Sequence, residues 1–399
     1  MSDQARTPRP LPARPNLEYL KKLAKDRLDA LRRDRASARL ADAQRSVARE
    51  HGFASWRKLH AHVKGLSAIG DARGDPAGPD TQIEEFFGAI RRGDETALER
   101  HLASEPRLRD ARDPDGSTAL SVAAETNNVR VVELLMGRGA NPRAVYAHSS
   151  HTPLSWAVTV GSFEAARALV RGGVELDLFC AAGMGDALAV ESFFEPDGRL
   201  RPRASTTGST RYTPDGTRLP CPPTSPREIV ADALYMAARH GQAATVEVLL
   251  RHDPDLSFRA FAGATALHWA HFAGVNRVVD LLVRAGADPA LPDDVLKSTP
   301  RAFGICWPAS VGWVSKVRQR LGDDPSLVDV IGGRGTPLHE AARGGHLGVV
   351  KLLVAAGADV RKINADGKTA LDLARERPDR APCAKVAGWL AERLAAARR

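Results

Sequence analysis

His339-Glu340 opens the pattern of a helical zinc-protease motif, in which a second His four residues on completes a ligand pair and the Glu serves as base. The next His is His346, seven residues on, so the ligand spacing is wrong. Gly367-Lys368-Thr369 ends like a phosphate-cradling loop, but the Gly that loop needs five residues before Gly367 is Lys362. His268 and His271 stand three apart, a spacing that puts both on one helix face, and the sequence sets no third ligand beside them. His60 and His62 project from different sides of a helix. Neither G-x-S-x-G nor G-x-G-x-x-G occurs. Cys180, Cys221, Cys306 and Cys383 are far apart and form no C-x-x-C pair. The sequence therefore predicts no catalytic residue, no metal site and no cofactor.

The elements that carry these residues are helical in composition. The chain has 399 residues, 43% of them hydrophobic and only 5% aromatic, so its core is built from Leu, Val and Ala. The net charge of +9 is not spread evenly. Residues 1–70 hold 16 Lys and Arg against 7 Asp and Glu, and the other 329 residues are balanced. The start, MSDQARTPRP, is polar, and no apolar run approaches the length of a membrane span. A cytoplasmic monomer with reduced thiols, away from membranes, is expected.

An internal repeat organises the rest. The segments at 116–142, 151–176, 263–289 and 335–360 align on Thr-Pro/Ala-Leu, a short helix, a Gly turn and a Val-Val-x-Leu-Leu stripe, with a weaker copy at 232–256. The turn slot holds Gly93, Asn127, Gly161, Gly185, Gly241, Gly274, Gly312 and Gly345, in steps of 34, 34, 24, 56, 33, 38 and 33. A left-handed helix end favours Gly, with Asn as its best substitute, and Asn127 is the one exception in the series. Thr suits the N-cap and Pro the first turn.

These motifs resemble ankyrin repeats over roughly residues 83–396. The family's T-P-L-H tetrapeptide is intact at Thr336-Pro337-Leu338-His339, and nearly so at Thr265-Ala266-Leu267-His268 and Thr152-Pro153-Leu154-Ser155. The resemblance implies an all-α solenoid of stacked helix pairs with short hairpin loops, and gives His339 a structural role. Its blocks are expected at 83–195 and 229–399, the second with a C-terminal cap. The step of 24 predicts a third unit, Leu178–Phe194, that is tightly joined and irregular. Residues 196–228, with seven prolines, read as an insertion loop. Pro308 is expected to kink or shorten its helix.

A small N-terminal helical domain precedes the array: a disordered 1–15, a basic helical leader at 16–66 and a Gly/Pro linker at 67–82. Leu17, Leu20, Ala24, Leu28 and Leu31 make one apolar stripe; further helices fall at about 37–50 and 54–64. The string at 48–63 resembles a helical leader found before ankyrin arrays in some bacterial proteins.

Five residues before each turn stand Val122, Trp156, Cys180, Met236, Trp269, Trp307 and Glu340. In ankyrin arrays this slot faces a concave groove, so the resemblance implies a non-catalytic scaffold that binds a protein partner there. The expected contacts are Trp156, Met236, Trp269, Phe272 and Trp307 as apolar anchors. Phe258, Arg259 and Phe261 join them from one hairpin, and Tyr146 and His148 from another. Two alternatives remain open. One is an enzyme or regulatory subunit using Arg199, Arg201, Arg203, Tyr212 and Asp215 of the insertion. The other is nucleic-acid or acidic-partner binding through residues 16–66.

Overall fold

The computed structural model describes residues 79–396 except 146–149, 203, 214–216 and 379, together with 24–25, 27–28, 43–44 and 46–48. Expectations for the rest of residues 1–78, and for Tyr146 and His148, lie outside the described residues. The chain divides into two compact units, residues 1–85 and 86–399. In the first, Ala24, Leu28, Ala43 and Val47 are helical and buried, and Leu28 packs with Ala43. Helix α1 starts at Pro79, inside the segment expected to be linker.

From there the described helices come in pairs. The first three pairs are α1 (Pro79–Arg92) with α2 (Glu95–Ser104), α3 (Ala119–Glu125) with α4 (Val129–Gly137), and α5 (Pro153–Val160) with α6 (Phe163–Arg171). Then follow α7 (Leu178–Met184) with α8 (Ala187–Ser192), α9 (Pro226–Arg239) with α10 (Ala243–Leu250), and α11 (Ala266–Ala273) with α12 (Asn276–Arg284). The last are α13 (Pro300–Ser310) with α14 (Val314–Asp323), α15 (Pro337–Gly344) with α16 (Leu347–Ala355), and α17 (Ala370–Arg375) with α18 (Ala381–Ala396). Among the described residues, β structure is limited to isolated bridges.

The first eight pairs turn where the ladder places them. All eight turn residues have positive φ, from 55° at Asn127 to 85° at Gly161. Asn127 adds something Gly cannot: its Oδ1 accepts from the backbone N–H of Ala165, at 2.9 Å, and so ties the second pair to the third. Asn127→Gly is therefore expected to cost about 1 kcal/mol through that lost bond. Asn127→Ala should cost about 1 kcal/mol more, because a Cβ without a local partner is strained at this φ. Urea midpoints of the two variants test the order.

The Thr and His of the tetrapeptide act together. Thr265 N–H and Oγ1 meet Nδ1 of His268, at 3.2 and 2.8 Å, and Nε2 donates to the Ser298 carbonyl of the next hairpin, at 3.2 Å. Thr336 and His339 repeat this, with Nε2 reaching Lys368 O at 3.0 Å. Each imidazole thus caps its own helix and fastens the following unit, which makes His339 structural.

The first helices pack in unbroken succession from α3 to α17. The second helices pack more loosely between α6 and α8 and between α12 and α14. No unit buries its apolar stripe alone; stacking merges the stripes into continuous cores.

Two expectations are corrected. The α7–α8 pair is regular, capped by Asp177 and turned by Gly185; only its preceding hairpin is missing. Helix α13 runs through Pro308. Pro308 removes the donor for the Gly304 carbonyl, but it stands in the last turn, so no further turn is built on the lost bond, and the helix lengthens at the other end from the Thr299 cap. Gly304 lets α13 approach α11 closely: a Cβ there would stand 2.7 Å from the His271 carbonyl oxygen.

Candidate functional site: inner helices and hairpin tips

The slot five residues before each turn is not uniformly exposed. Trp156 and Trp307 are half-buried, while Met236 and Trp269 are fully buried. Phe272 and Phe258 are buried as well, Phe258 beneath the Arg211 guanidinium at 4.7 Å. The expectation that these four side chains contact a partner is corrected: their neighbours cover them. Trp269 lies 5.2–5.6 Å from the rings of Tyr235, Phe272 and Phe303, and Arg239 stacks over it at 4.3 Å. Phe303 comes from α13, where it fills the position that Thr265 holds in α11. Trp307 stacks on Phe303 and meets Phe261 edge-on at 6.0 Å. Phe261 is exposed and Arg259 half-buried. Trp156 donates to Glu125 at 3.2 Å.

The hairpins beside these helices join tip to tip. Asp294 N–H donates to Gly263 O at 3.2 Å, and Arg259 reaches Pro292 O. Arg334 reaches Val295 O, at 3.5 Å, and Asn364 reaches Arg334 O, at 3.3 Å. Four successive tips thus form one ledge, and each presents a large apolar side chain. Phe261 is 38% exposed, Val295 45%, Ile331 68% and Ile363 61%.

The opposite side is different. The second helices carry ion pairs between neighbouring units: Arg130–Glu95, Arg171–Glu133, Arg251–Glu191 and Arg277–Glu247. Single apolar residues, Leu188 and Val283, punctuate it. Such exposed pairs each contribute little energy but keep a surface solvated.

Residues 196–228 are built rather than a plain loop. Isolated bridges join Phe194 to Leu200 and Tyr212 to Arg218, each across the same number of residues as the bridge Arg112–Thr118 between α2 and α3. The signal was the triplet Pro-Asp-Gly, present at 114–116, 196–198 and 214–216. The segment replaces the missing hairpin: Leu178 N–H donates to Ser205 O at 3.1 Å, and Thr207 donates to Asp177 at 2.5 Å. Ser209 gives both its N–H and hydroxyl to the buried Asp232, at 2.7 and 2.6 Å. Ser150 and Cys221 join at 3.0 Å. Arg199 is paired with Asp197 and Arg201 with Glu195. Tyr212 is exposed; Arg203 and Asp215 lie outside the described residues.

Burial sets the titration of the inner groups. It lowers His240 and His268 to about 3, and His151 and His271 to about 4. It raises Asp232 to about 6, despite the two bonds from Ser209. It also pushes the Cys180 and Cys306 thiols well above their ordinary value, which leaves them poor nucleophiles. Among the described residues no group of His, Cys, Asp and Glu is placed to hold a metal ion, and no helix is long and apolar enough to cross a membrane.

The pattern of the family described as "Ankyrin repeats (3 copies)" matches residues 86–180 and 225–293, and that of "Ankyrin repeats (many copies)" matches 322–374. Human ankyrin repeat and SOCS box protein 6 is 31% identical over 149 residues, 36% of this chain and 35% of that protein. Pig NF-kappa-B inhibitor alpha is 36% identical over 137 residues, 32% of this chain and 42% of its own. The fruit-fly palmitoyltransferase Hip14 is 29% identical over 178 residues, 41% of this chain but only 22% of that protein. The chain thus matches well under half the length of these curated relatives. All three are animal proteins and lend no support to a bacterial setting. The matched patterns, the turn ladder and the stacked helix pairs agree: the chain belongs to the ankyrin-repeat family, whose arrays are protein-interaction modules.

Proposed function

We propose that the chain is a non-catalytic scaffold that binds a protein partner along its first helices and hairpin tips. One contrast carries this reading. Exposed aliphatic and aromatic groups line the ledge of tips, while the second helices are laced with ion pairs. An apolar row of this kind on an otherwise balanced surface marks an interaction site. Trp156, Trp307, Phe261 and Arg259 are the contact residues kept from the sequence, joined by Val295, Ile331 and Ile363. The insertion braces the array, and its paired arginines argue against an anion site. The protein is taken to act as a cytoplasmic monomer. The bacterial character of the basic leader belongs to the same proposal.

Affinity capture from the source cells should recover a partner with the intact chain. Capture should fall at least tenfold with Phe261→Ala plus Ile331→Ala, and stay unchanged with Arg171→Ala plus Arg277→Ala on the second helices. Equal capture by both pairs of substitutions contradicts the assignment.

A further inference from the structure

Two residues before the turn stand Glu125 in α3, Arg239 in α9, Phe272 in α11 and Arg343 in α15. They lie three residues beyond the slot of Trp269, on the same helix face. Arg239 is half-buried and stacks over the Trp269 indole at 4.3 Å, with the Phe272 ring at 5.8 Å. Lys316 reaches back from α14. Its ammonium donates to the Ala273 carbonyl and to Gln319, at 3.2 and 3.1 Å, and stands 4.7 Å from the same Phe272 ring. Two half-buried cations thus share one aromatic ring.

Neither cation is paired with a carboxylate among the described residues. Asp323, the carboxylate that acts on Lys316, is bonded to Arg320 at 3.0 Å. Arg239 acts on His151, Tyr235, His240 and Lys316, and none of these is a carboxylate. Burial holds Lys316 down at about 8, with Arg320 and then Arg239 adding to it against Asp323. The same slot is balanced elsewhere. Arg343 acts on Glu340 and Glu376, and Glu125 accepts from the Trp156 indole at 3.2 Å. The uncompensated charge is therefore local to Arg239 and Lys316.

Like charges over one ring repel, and burial has cost each part of its hydration; an anion beside them offsets both. A guanidinium stacked on a ring keeps its N–H groups in its own plane, in the fork that matches a carboxylate. The border is apolar. Trp313 is 43% exposed and 5.8 Å from Phe272, and half-buried Trp307 is 6.2 Å from Trp269.

We propose that Arg239, with Lys316 beside it, receives the side-chain carboxylate of a partner glutamate or aspartate that is flanked by apolar residues. This rests on the interaction reading above and adds the chemistry of the partner's contact.

The probe is the blocked peptide acetyl-Leu-Glu-Leu-amide, titrated into the full chain labelled with nitrogen-15. Its neutral control carries Gln for Glu, and a third peptide carries phosphoserine. The reporter is the indole N–H of Trp269, which is buried without a partner beneath Arg239 and is identified by its loss in Trp269→Phe. The Glu peptide should shift it saturably, at least fivefold more tightly than the Gln peptide. Arg239→Met keeps an apolar chain against the indole and should weaken the Glu peptide at least fivefold. Lys316→Met should weaken it about twofold, and Arg343→Met should leave it unchanged. Circular dichroism checks the fold of each variant. No saturable shift, equal affinity for the Glu and Gln peptides, or unchanged binding to Arg239→Met overturns the site. Phosphoserine binding at least tenfold tighter than Glu overturns the carboxylate in favour of a phosphorylated residue. A captured partner that depends on Phe261 and Ile331 but not on Arg239 overturns the site and leaves the interaction surface standing.

Discussion

Trp269→Ala is expected to lower the unfolding free energy by about 3–5 kcal/mol, the range for removing a large buried aromatic side chain. The indole is fully buried and touches rings from three consecutive units: Tyr235 from α9, Phe272 from its own α11, and Phe303 from α13. The neighbouring helices are held apart by their own caps and turns, so the hole does not collapse. The loss also frees Arg239, which stacks on the indole at 4.3 Å. Because each unit of a repeat array contacts only its neighbours, damage should concentrate in α9–α13. Amide exchange there should rise first, with α16–α18 protected. Trp156→Ala should cost less, about 1 kcal/mol, because the indole is only half-buried beside His151 and Glu125. Equal costs for the two substitutions would show that Trp269 is not the core residue described.

Acid should destabilise the array over a window set by its buried histidines. His151, His240, His268 and His271 are held below their ordinary 6.5, at about 3 to 4. Each is neutral in the folded chain, while the unfolded chain takes up a proton below about 6.5. Their contribution is complete above that pH and is lost as pH falls toward 4. At pH 5 each forfeits about 2 kcal/mol. Asp232 works the other way: raised from 3.8 to about 6, it adds stability as pH falls through 6. Burial also raises Asp293 and Glu340, in the same sense as Asp232, and lowers His339, in the same sense as the other four imidazoles; the imidazoles dominate, so urea midpoints should drop clearly between pH 7.5 and pH 5. His268→Asn leaves an oxygen to accept from Thr265 N–H and removes one titrating group, so its drop should be smaller by about 2 kcal/mol. Identical midpoints at the two pH values would contradict the burial of these rings.

The turn ladder was legible because φ is a backbone constraint that only Gly, and at one place Asn, meets cheaply. Thr and His were legible because both partners of the cap lie within one tetrapeptide. Exposure in the inner slot was not. Whether Trp269 faces solvent depends on Phe303 and Phe272, and Phe303 sits where the repeat normally has Thr. Residues 196–228 hid their structure for a related reason. Proline and glycine content says loop, whereas the Pro-Asp-Gly triplet shared with the first hairpin says turn. The clasp by Asp177 and Asp232 is a long-range contact that no local pattern announces. Phe261 was read as a contact, but the rest of the tip row was not, because the four side chains lie four, four, five and six residues before Thr265, Thr299, Thr336 and Thr369. Only the tip-to-tip bonds bring them into line.

The central claim concerns which side of the array meets its partner, and site-specific photocrosslinking in the source cells addresses it directly. Benzoylphenylalanine placed at Phe261 or Ile331 should crosslink to one protein, and at Glu133 or Arg277 to none above background. A partner crosslinked from Glu133 and Arg277 and absent at Phe261 and Ile331 would place recognition on the ion-paired helices and contradict the claim.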